Sequence, residues 1–148
     1  MNNVVQKGIV AGLAGTVTMT VAMLAAHKIF GLGALPPERV TEGLADKVDA
    51  KPRSSLGRSA LTAATHLGFG ASMGVVYEAL ASTGFAKGSP LLRGAGFGMT
   101  VWALSYFGWV PALRLMPKPE NDKGRQASTM IAHLIYGTTL ALTDGRKG

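Results

Sequence analysis

Two histidines, His66 and His133, are the residues whose type and spacing point most directly to chemistry. Each lies in the pattern Thr-x-x-x-His-Leu-x-aromatic-Gly, which runs through residues 62–70 and again through residues 129–137. If both stretches are helices entered from the same side, each imidazole lies about seven residues, or ~10 Å, into its helix. Two imidazoles at equal depth on facing helices predict a shared site.

Several interpretations of this pair are open from the sequence. The favoured one is structural, because an imidazole inside a membrane bonds to a neighbouring hydroxyl or carbonyl, and Thr129 is near. A haem or other tetrapyrrole between the two imidazoles is an alternative, with Gly68, Gly70 and Gly137 leaving room for the macrocycle. A metal site that also uses His27, and a proton or substrate path, are further alternatives.

Other polar side chains lie near the ends of the predicted membrane helices. Glu78, beside Tyr77, is the one acid within them, and we expect its carboxyl group to reach the interface rather than form a buried proton site. Arg93 opens the next helix and is placed to pair with Glu78 as a structural clasp. Tyr106 and Trp109 are expected to be interfacial anchors.

The distribution of charge predicts the elements that must position these residues. The chain has 148 residues with 15 Lys and Arg and 8 Asp and Glu, yet residues 8–27, 59–77, 94–113 and 126–143 contain none of them. Such stretches are long enough to cross a hydrocarbon core of ~30 Å, whereas a soluble amphipathic helix keeps a charged face. The sequence therefore predicts an all-α integral membrane four-helix bundle. The predicted spans, in one domain over 1–148, are about 8–30, 59–82, 91–113 and 126–143.

The first loop contains a short polar helix, predicted at about residues 37–49. Val40, Leu44 and Val48 recur every four residues opposite charged side chains. One thin apolar stripe on a charged helix is typical of a segment that lies at the membrane interface or against the bundle. We therefore expect an interfacial helix in this loop.

Lys and Arg are unevenly distributed between the two sides of the predicted bundle. Loops one and three carry ten of the 15, so the positive-inside rule places both loops in the cytoplasm and both termini outside. The net charge of +7 then indicates contact with anionic lipid headgroups rather than with nucleic acid. The expected partners are the lipid bilayer and either a second copy of the chain or a membrane partner protein.

Small residues and an internal repeat predict how the helices pack. Glycines four residues apart let helix backbones approach closely in lipid. The repeat around the histidines, with a weaker match between residues 12–17 and 96–101, predicts two helical hairpins related as a parallel repeat. The glycine pairs are Gly8 and Gly12, Gly70 and Gly74, and Gly94 and Gly98.

Enzyme motifs are absent from the sequence. There is no cysteine, which removes disulfides, thiolate nucleophiles and CxxC sites. The glycines at 94, 96 and 98 follow no predicted strand, and there is no P-loop, nucleophile elbow or HExxH motif. We predict a non-enzymatic accessory or stress-related role. The alternatives are a small membrane cytochrome using His66 and His133, and a small transporter or proton path.

Four stretches of the chain resemble a known group of proteins. Residues 35–41, 66–77, 102–111 and 133–137 are similar to segments of small bacterial inner-membrane proteins, the YagU-like families of unknown function. The resemblance implies a multi-span protein of the bacterial inner membrane. It implies no activity, cofactor or catalytic residue.

Overall fold

The computed structural model describes residues 2–31, 34–83, 89–115 and 123–144, which fold into helices joined by short irregular segments, with no strand among them. The all-α prediction is confirmed, and the first, second and fourth predicted spans each lie within one long helix. In chain order the helices are α1 (Asn2–Phe30), α2 (Pro36–Lys47), α3 (Ser55–Ser82), α4 (Pro90–Ala103), a π-helical segment (Leu104–Trp109), α5 (Val110–Ala112) and α6 (Lys123–Asp144).

The helix ends follow from local chemistry. Gly31, at φ +61°, ends α1 in the left-handed conformation that costs glycine least. Pro36 and Pro37 occupy the first positions of α2, where no helical N–H is required. Ser54 caps α3 because its hydroxyl accepts a hydrogen bond from the Gly57 N–H at 3.0 Å.

The third predicted span is not one regular helix. After α4 the chain forms the π-helical segment, inside which Gly108 departs from helical geometry at φ −101° and ψ −107°. Glycine has no Cβ to oppose that conformation, and Pro111 lacks the N–H that would bond back to the preceding turn. The prediction of a continuous helix over 91–113 was therefore wrong at its second half.

The long helices form two hairpins. α1 packs along α3, α4 packs along α6, and α1 also packs against α6, which joins the hairpins. Gly8 lies against Gly74, and Gly12 lies against Gly70, so α1 and α3 run antiparallel. The two predicted helical hairpins are present in the fold.

The glycine pairs are the points of closest helix contact. A Cβ added at Gly12 would overlap the Gly70 carbonyl oxygen, and a Cβ added at Gly94 would overlap the Gly137 carbonyl oxygen. By contrast, a Cβ added at Gly96 would meet nothing within 4 Å. The spaced glycines therefore permit backbone-to-backbone packing in both hairpins.

The weaker repeat, between α1 and α4, does not correspond to equivalent packing positions. It aligns Thr16 with Thr100, yet Thr16 is buried and Thr100 is exposed. The packing instead makes Gly12 equivalent to Gly94, since each faces a glycine carbonyl of its partner helix. The sequence match instead pairs Gly12 with Gly96, two residues after Gly94. Two residues along a helix correspond to a rotation of about 200°, so Gly96 lies on the opposite face of α4 from Gly94.

The buried face of α2 differs from the predicted stripe. Thr41 and Ala45 are buried, Val40 and Leu44 are half-buried, and Val48 is 71% exposed. α2 ends before Val48, so that residue cannot continue the helical stripe. The helix packs on α3 through its Thr41 and Ala45 face, and the prediction was wrong for Val48.

One helix of the described residues, Asn3–Phe30, is long and apolar enough to cross a membrane. Its most apolar stretch is only 33% buried in the protein. A core helix of a soluble protein or a signal sequence meets the same criterion of length and composition. α3 and α6 are diluted by Gly, Ser, Thr and His, and α4 is interrupted after 14 residues. Helix length and composition therefore indicate one candidate membrane span among the described residues, rather than the four that were predicted.

Candidate functional site

A cavity of about 190 Å³ lies at one end of the bundle. Its walls are the C-terminal half of α1, the end of α4 with the π-helical segment and Val110, the middle parts of α3 and α6, and one face of α2. This is the end that carries the first and third loops. His66 and His133 both line it, so the fold brings the two repeated histidines to one site.

The cavity wall is mainly apolar and aromatic. Its lining residues within the described chain include no Asp, Glu, Lys, Arg or Cys, and its polar atoms come from His, Thr, Ser and Tyr. Three methionines, Met19, Met23 and Met73, add polarisable side chains that suit contact with aromatic rings. The aromatic lining residues are Phe69, Trp102, Tyr106, Trp109 and Tyr136.

The ring of His133 is held in one orientation. Its Nδ1 lies 2.8 Å from the Thr129 carbonyl oxygen, and since a carbonyl only accepts, Nδ1 carries the hydrogen. In the neutral imidazole, Nε2 then keeps a free lone pair. The Trp102 Nε1–H of α4 donates to the Thr129 hydroxyl at 3.3 Å. This bond holds the turn of α6 that carries Thr129 and His133.

His66 faces the same cavity with fewer constraints. Its Nε2 is buried and has no hydrogen-bond partner among the described residues. Its imidazole and that of His133 line the same cavity. A buried polar atom without a partner is unfavourable, so Nε2 of His66 is a position where a ligand would gain a hydrogen bond.

Tyr136 is a site residue that the sequence analysis did not single out. Its hydroxyl donates to the Gly70 carbonyl at 2.7 Å, which ties α6 to α3 across the cavity wall. The only signal was the aromatic position of the repeat, where Phe69 is the counterpart. Because phenylalanine has no hydroxyl, this bond makes the two halves of the repeat unequal.

Tyr106 and Trp109 were expected at the membrane interface, but the structure places both on the cavity wall. The π-helical turn brings them there together with Ser105, whose hydroxyl accepts from the Trp109 Nε1–H at 3.1 Å. Trp102 stacks on Tyr106 with ring centroids 5.4 Å apart. The irregular turn thus directs the Tyr106 and Trp109 side chains toward the cavity, whereas a regular α-helix would orient them differently.

Glu78 does not reach the interface as expected. It is 0% exposed and lies beside Tyr77, which is also buried, because this face of α3 turns into the bundle. Arg93, its predicted partner, is half-buried in α4. Neither charged residue lines the cavity.

His27 is not brought to the other two histidines. It is half-buried in the last turn of α1 and does not line the cavity. Over the described residues, no three His, Cys, Asp or Glu side chains gather in a way that could hold a metal ion. The alternative of a three-histidine metal site gains no support from the fold.

The cavity is too small to enclose a haem. An engineered cavity of about 150 Å³ holds one benzene ring, and this cavity of about 190 Å³ is only slightly larger. A tetrapyrrole has four such rings around its metal. The space that Gly70 and Gly137 were expected to leave is taken by Thr16 and by the Gly94 backbone. The geometry therefore gives no support to the cytochrome alternative.

The transporter alternative rests on the hydroxyl groups of α6, and these bond locally. Thr138 donates to the Leu134 carbonyl at 2.9 Å, and Thr139 donates to the Ile135 carbonyl at 2.8 Å. These hydroxyl groups thus bond to carbonyls of α6, and the Thr139 hydroxyl also lies 3.0 Å from the Thr18 hydroxyl of α1. The structure accordingly provides no support for a polar path along this helix.

The fold and the cavity define a class of protein: an all-helical bundle with a small, uncharged, aromatic cavity at one end. The chain belongs to the family of unknown function DUF6789, which it matches over residues 1–146. The predicted membership of an uncharacterised family is confirmed, while the match does not support the YagU-like name. No curated protein and no solved structure is significantly similar to the chain.

Proposed function

We propose that this chain is a multi-pass protein of the bacterial inner membrane that binds a small, mainly apolar molecule without transforming it. The observation that carries the proposal is the distribution of polarity: large apolar side chains are exposed along the long helices, several polar side chains are buried, and a mainly apolar cavity opens at one end of the bundle. An accessory binding role is consistent with a cavity wall that offers the two imidazoles no carboxylate partner in the described chain.

Each long helix exposes large apolar side chains. Val10 and Val21 of α1 are 60% and 61% exposed, and Leu92 of α4 is 76% exposed. A soluble protein rarely presents apolar side chains in extended patches, whereas a bilayer is their natural solvent. Further exposed apolar residues on these and the other long helices are Val17, Leu24, Leu80, Leu91, Ile131 and Leu142.

The interior carries the polar groups that a bilayer would exclude. Thr16, Thr129 and Glu78 are among the buried residues. Thr16 donates to the Gly12 carbonyl at 2.7 Å, which is how a hydroxyl is accommodated in a membrane helix. The exposed apolar side chains, together with these few polar groups held inside, favour lipid as the solvent of the whole bundle.

The membrane proposal predicts that the chain stays in the membrane pellet after alkaline carbonate washing and needs detergent for release. Because the chain has no cysteine, single-cysteine variants can report its topology. We expect Val48→Cys, on the basic loop side, to react from the cytoplasm, and Thr83→Cys to react from outside. Release by carbonate would overturn the membrane assignment, and the reverse labelling pattern would overturn the orientation.

The binding proposal predicts that toluene enters the cavity. The volume of about 190 Å³ suits one substituted ring, and both tryptophans of the chain line the cavity, so their fluorescence reports occupancy. We expect saturable quenching by toluene in detergent, with at least about tenfold weaker binding in Val40→Phe, which fills part of the cavity.

Val48→Phe is the matched control for that experiment. It is the same change just beyond the end of the same helix, at a residue that is 71% exposed and outside the cavity lining. Its toluene affinity should equal that of the unmodified chain. Quenching that does not saturate, or equal affinity in both variants, would contradict a binding cavity.

A further inference from the structure

We infer that the cavity recognises a single phenolic ring, whose hydroxyl group bridges Nε2 of His66 and Nε2 of His133. This inference rests on the proposed function and adds the chemical class of the ligand. It draws on the size of the cavity, the aromatic lining and the hydrogen-bonding state of the two imidazoles.

The size and lining of the cavity select a single ring. A volume of about 190 Å³ exceeds the ~150 Å³ that holds benzene by little more than one substituent. Aromatic walls favour an aromatic guest, because rings gain from edge-to-face and stacked contacts beyond their burial. Methionine sulfur atoms on the wall add to the same preference.

The polar group of the ligand follows from the two nitrogen atoms. Nε2 of His133 offers a lone pair, because Nδ1 of that ring donates to the Thr129 carbonyl. The group that meets it must therefore donate a hydrogen. Nε2 of His66 is buried without a partner among the described residues. In the tautomer that carries its hydrogen on Nε2, this nitrogen donates to an oxygen.

A hydroxyl group satisfies both imidazoles at once. Its hydrogen is donated to His133, and its oxygen accepts from His66. A carbonyl group would satisfy only His66 and would leave the lone pair of His133 facing an oxygen. A hydrocarbon would leave both nitrogen atoms unpaired, although it would still fill the cavity.

Three probes of similar size separate these cases: phenol, toluene and benzaldehyde. Phenol and toluene differ only by hydroxyl in place of methyl, and benzaldehyde carries an acceptor alone. Affinities are measured by tryptophan fluorescence, with each concentration expressed in the detergent phase. We expect phenol to bind about tenfold more tightly than toluene, with benzaldehyde close to toluene.

The histidine variants test whether the imidazoles cause the preference. His66→Phe and His133→Phe keep an aromatic ring, so toluene should still bind while the preference for phenol falls to about twofold or less. Ser72→Ala is the control, because its exposed hydroxyl bonds only to the Gly68 carbonyl and lies outside the cavity lining. That variant should keep the full preference.

The outcomes distinguish a failure of the phenolic inference from a failure of the proposed binding function. If toluene binds and phenol binds no better, the phenolic inference is overturned while the binding cavity stands. If benzaldehyde binds as tightly as phenol, the assigned hydrogen on His133 is wrong and the inference falls. If neither toluene nor phenol binds, the proposed function itself fails.

Discussion

Gly94→Val is expected to separate α4 from α6 and to destabilise the bundle by about 3 kcal/mol, the upper end of the usual cost of overpacking. The added Cβ would overlap the Gly137 carbonyl oxygen and come within 2.7 Å of the Ala141 Cβ. The nearest atom belongs to the helix backbone, which cannot rotate away as a flexible side chain does. Apolar helices in lipid gain little free energy from burying apolar surface against each other. Close packing is then a principal source of helix association.

Gly96→Val provides the control for this substitution. It lies two residues away on the same helix and carries the same intrinsic cost of a β-branched residue, but a Cβ there meets nothing within 4 Å. Unfolding in detergent, followed by fluorescence of Trp102 on α4, should show a large loss for Gly94→Val and almost none for Gly96→Val. Equal losses would mean that α4 and α6 do not pack as described.

The second large effect is expected at Glu78. Its side chain is 0% exposed, and a carboxylate withdrawn from solvent requires a compensating partner. The sequence predicts Arg93 as that partner, in a clasp between α3 and α4. If the two form a buried pair, removal of either one leaves the other charge uncompensated, at a cost of about 3–5 kcal/mol.

A double-mutant cycle tests the clasp. Glu78→Ala and Arg93→Ala should each lower the free energy of unfolding strongly, and the double variant should lose much less than their sum. Glu38→Ala, at an exposed residue of α2, serves as the control and should change stability by less than about 0.5 kcal/mol. Additive losses at Glu78 and Arg93 would show that the two residues do not interact.

The histidine repeat shows how far a pattern can predict a site. The shared string placed His66 and His133 at equal depth, and the fold brings both to one cavity. The string did not predict the size of that cavity, because its volume depends on α2 and on the π-helical segment. It also treated Phe69 and Tyr136 as equivalent, although only Tyr136 bonds to the Gly70 carbonyl.

The sequence by itself determined the long helices, except the second half of the third predicted span, and their closest contacts. Uncharged stretches, prolines and capping residues set the helix bounds, and glycines four residues apart marked where the helices meet, because both are properties of neighbouring residues along one helix. The tertiary structure decided which side chains face inward: Glu78 is buried, Trp109 lines the cavity, and Thr41 rather than Val48 lies on the buried face of α2. Those outcomes depend on the rotation of each helix against its neighbours and on the irregular turn before Pro111, and no local pattern records either.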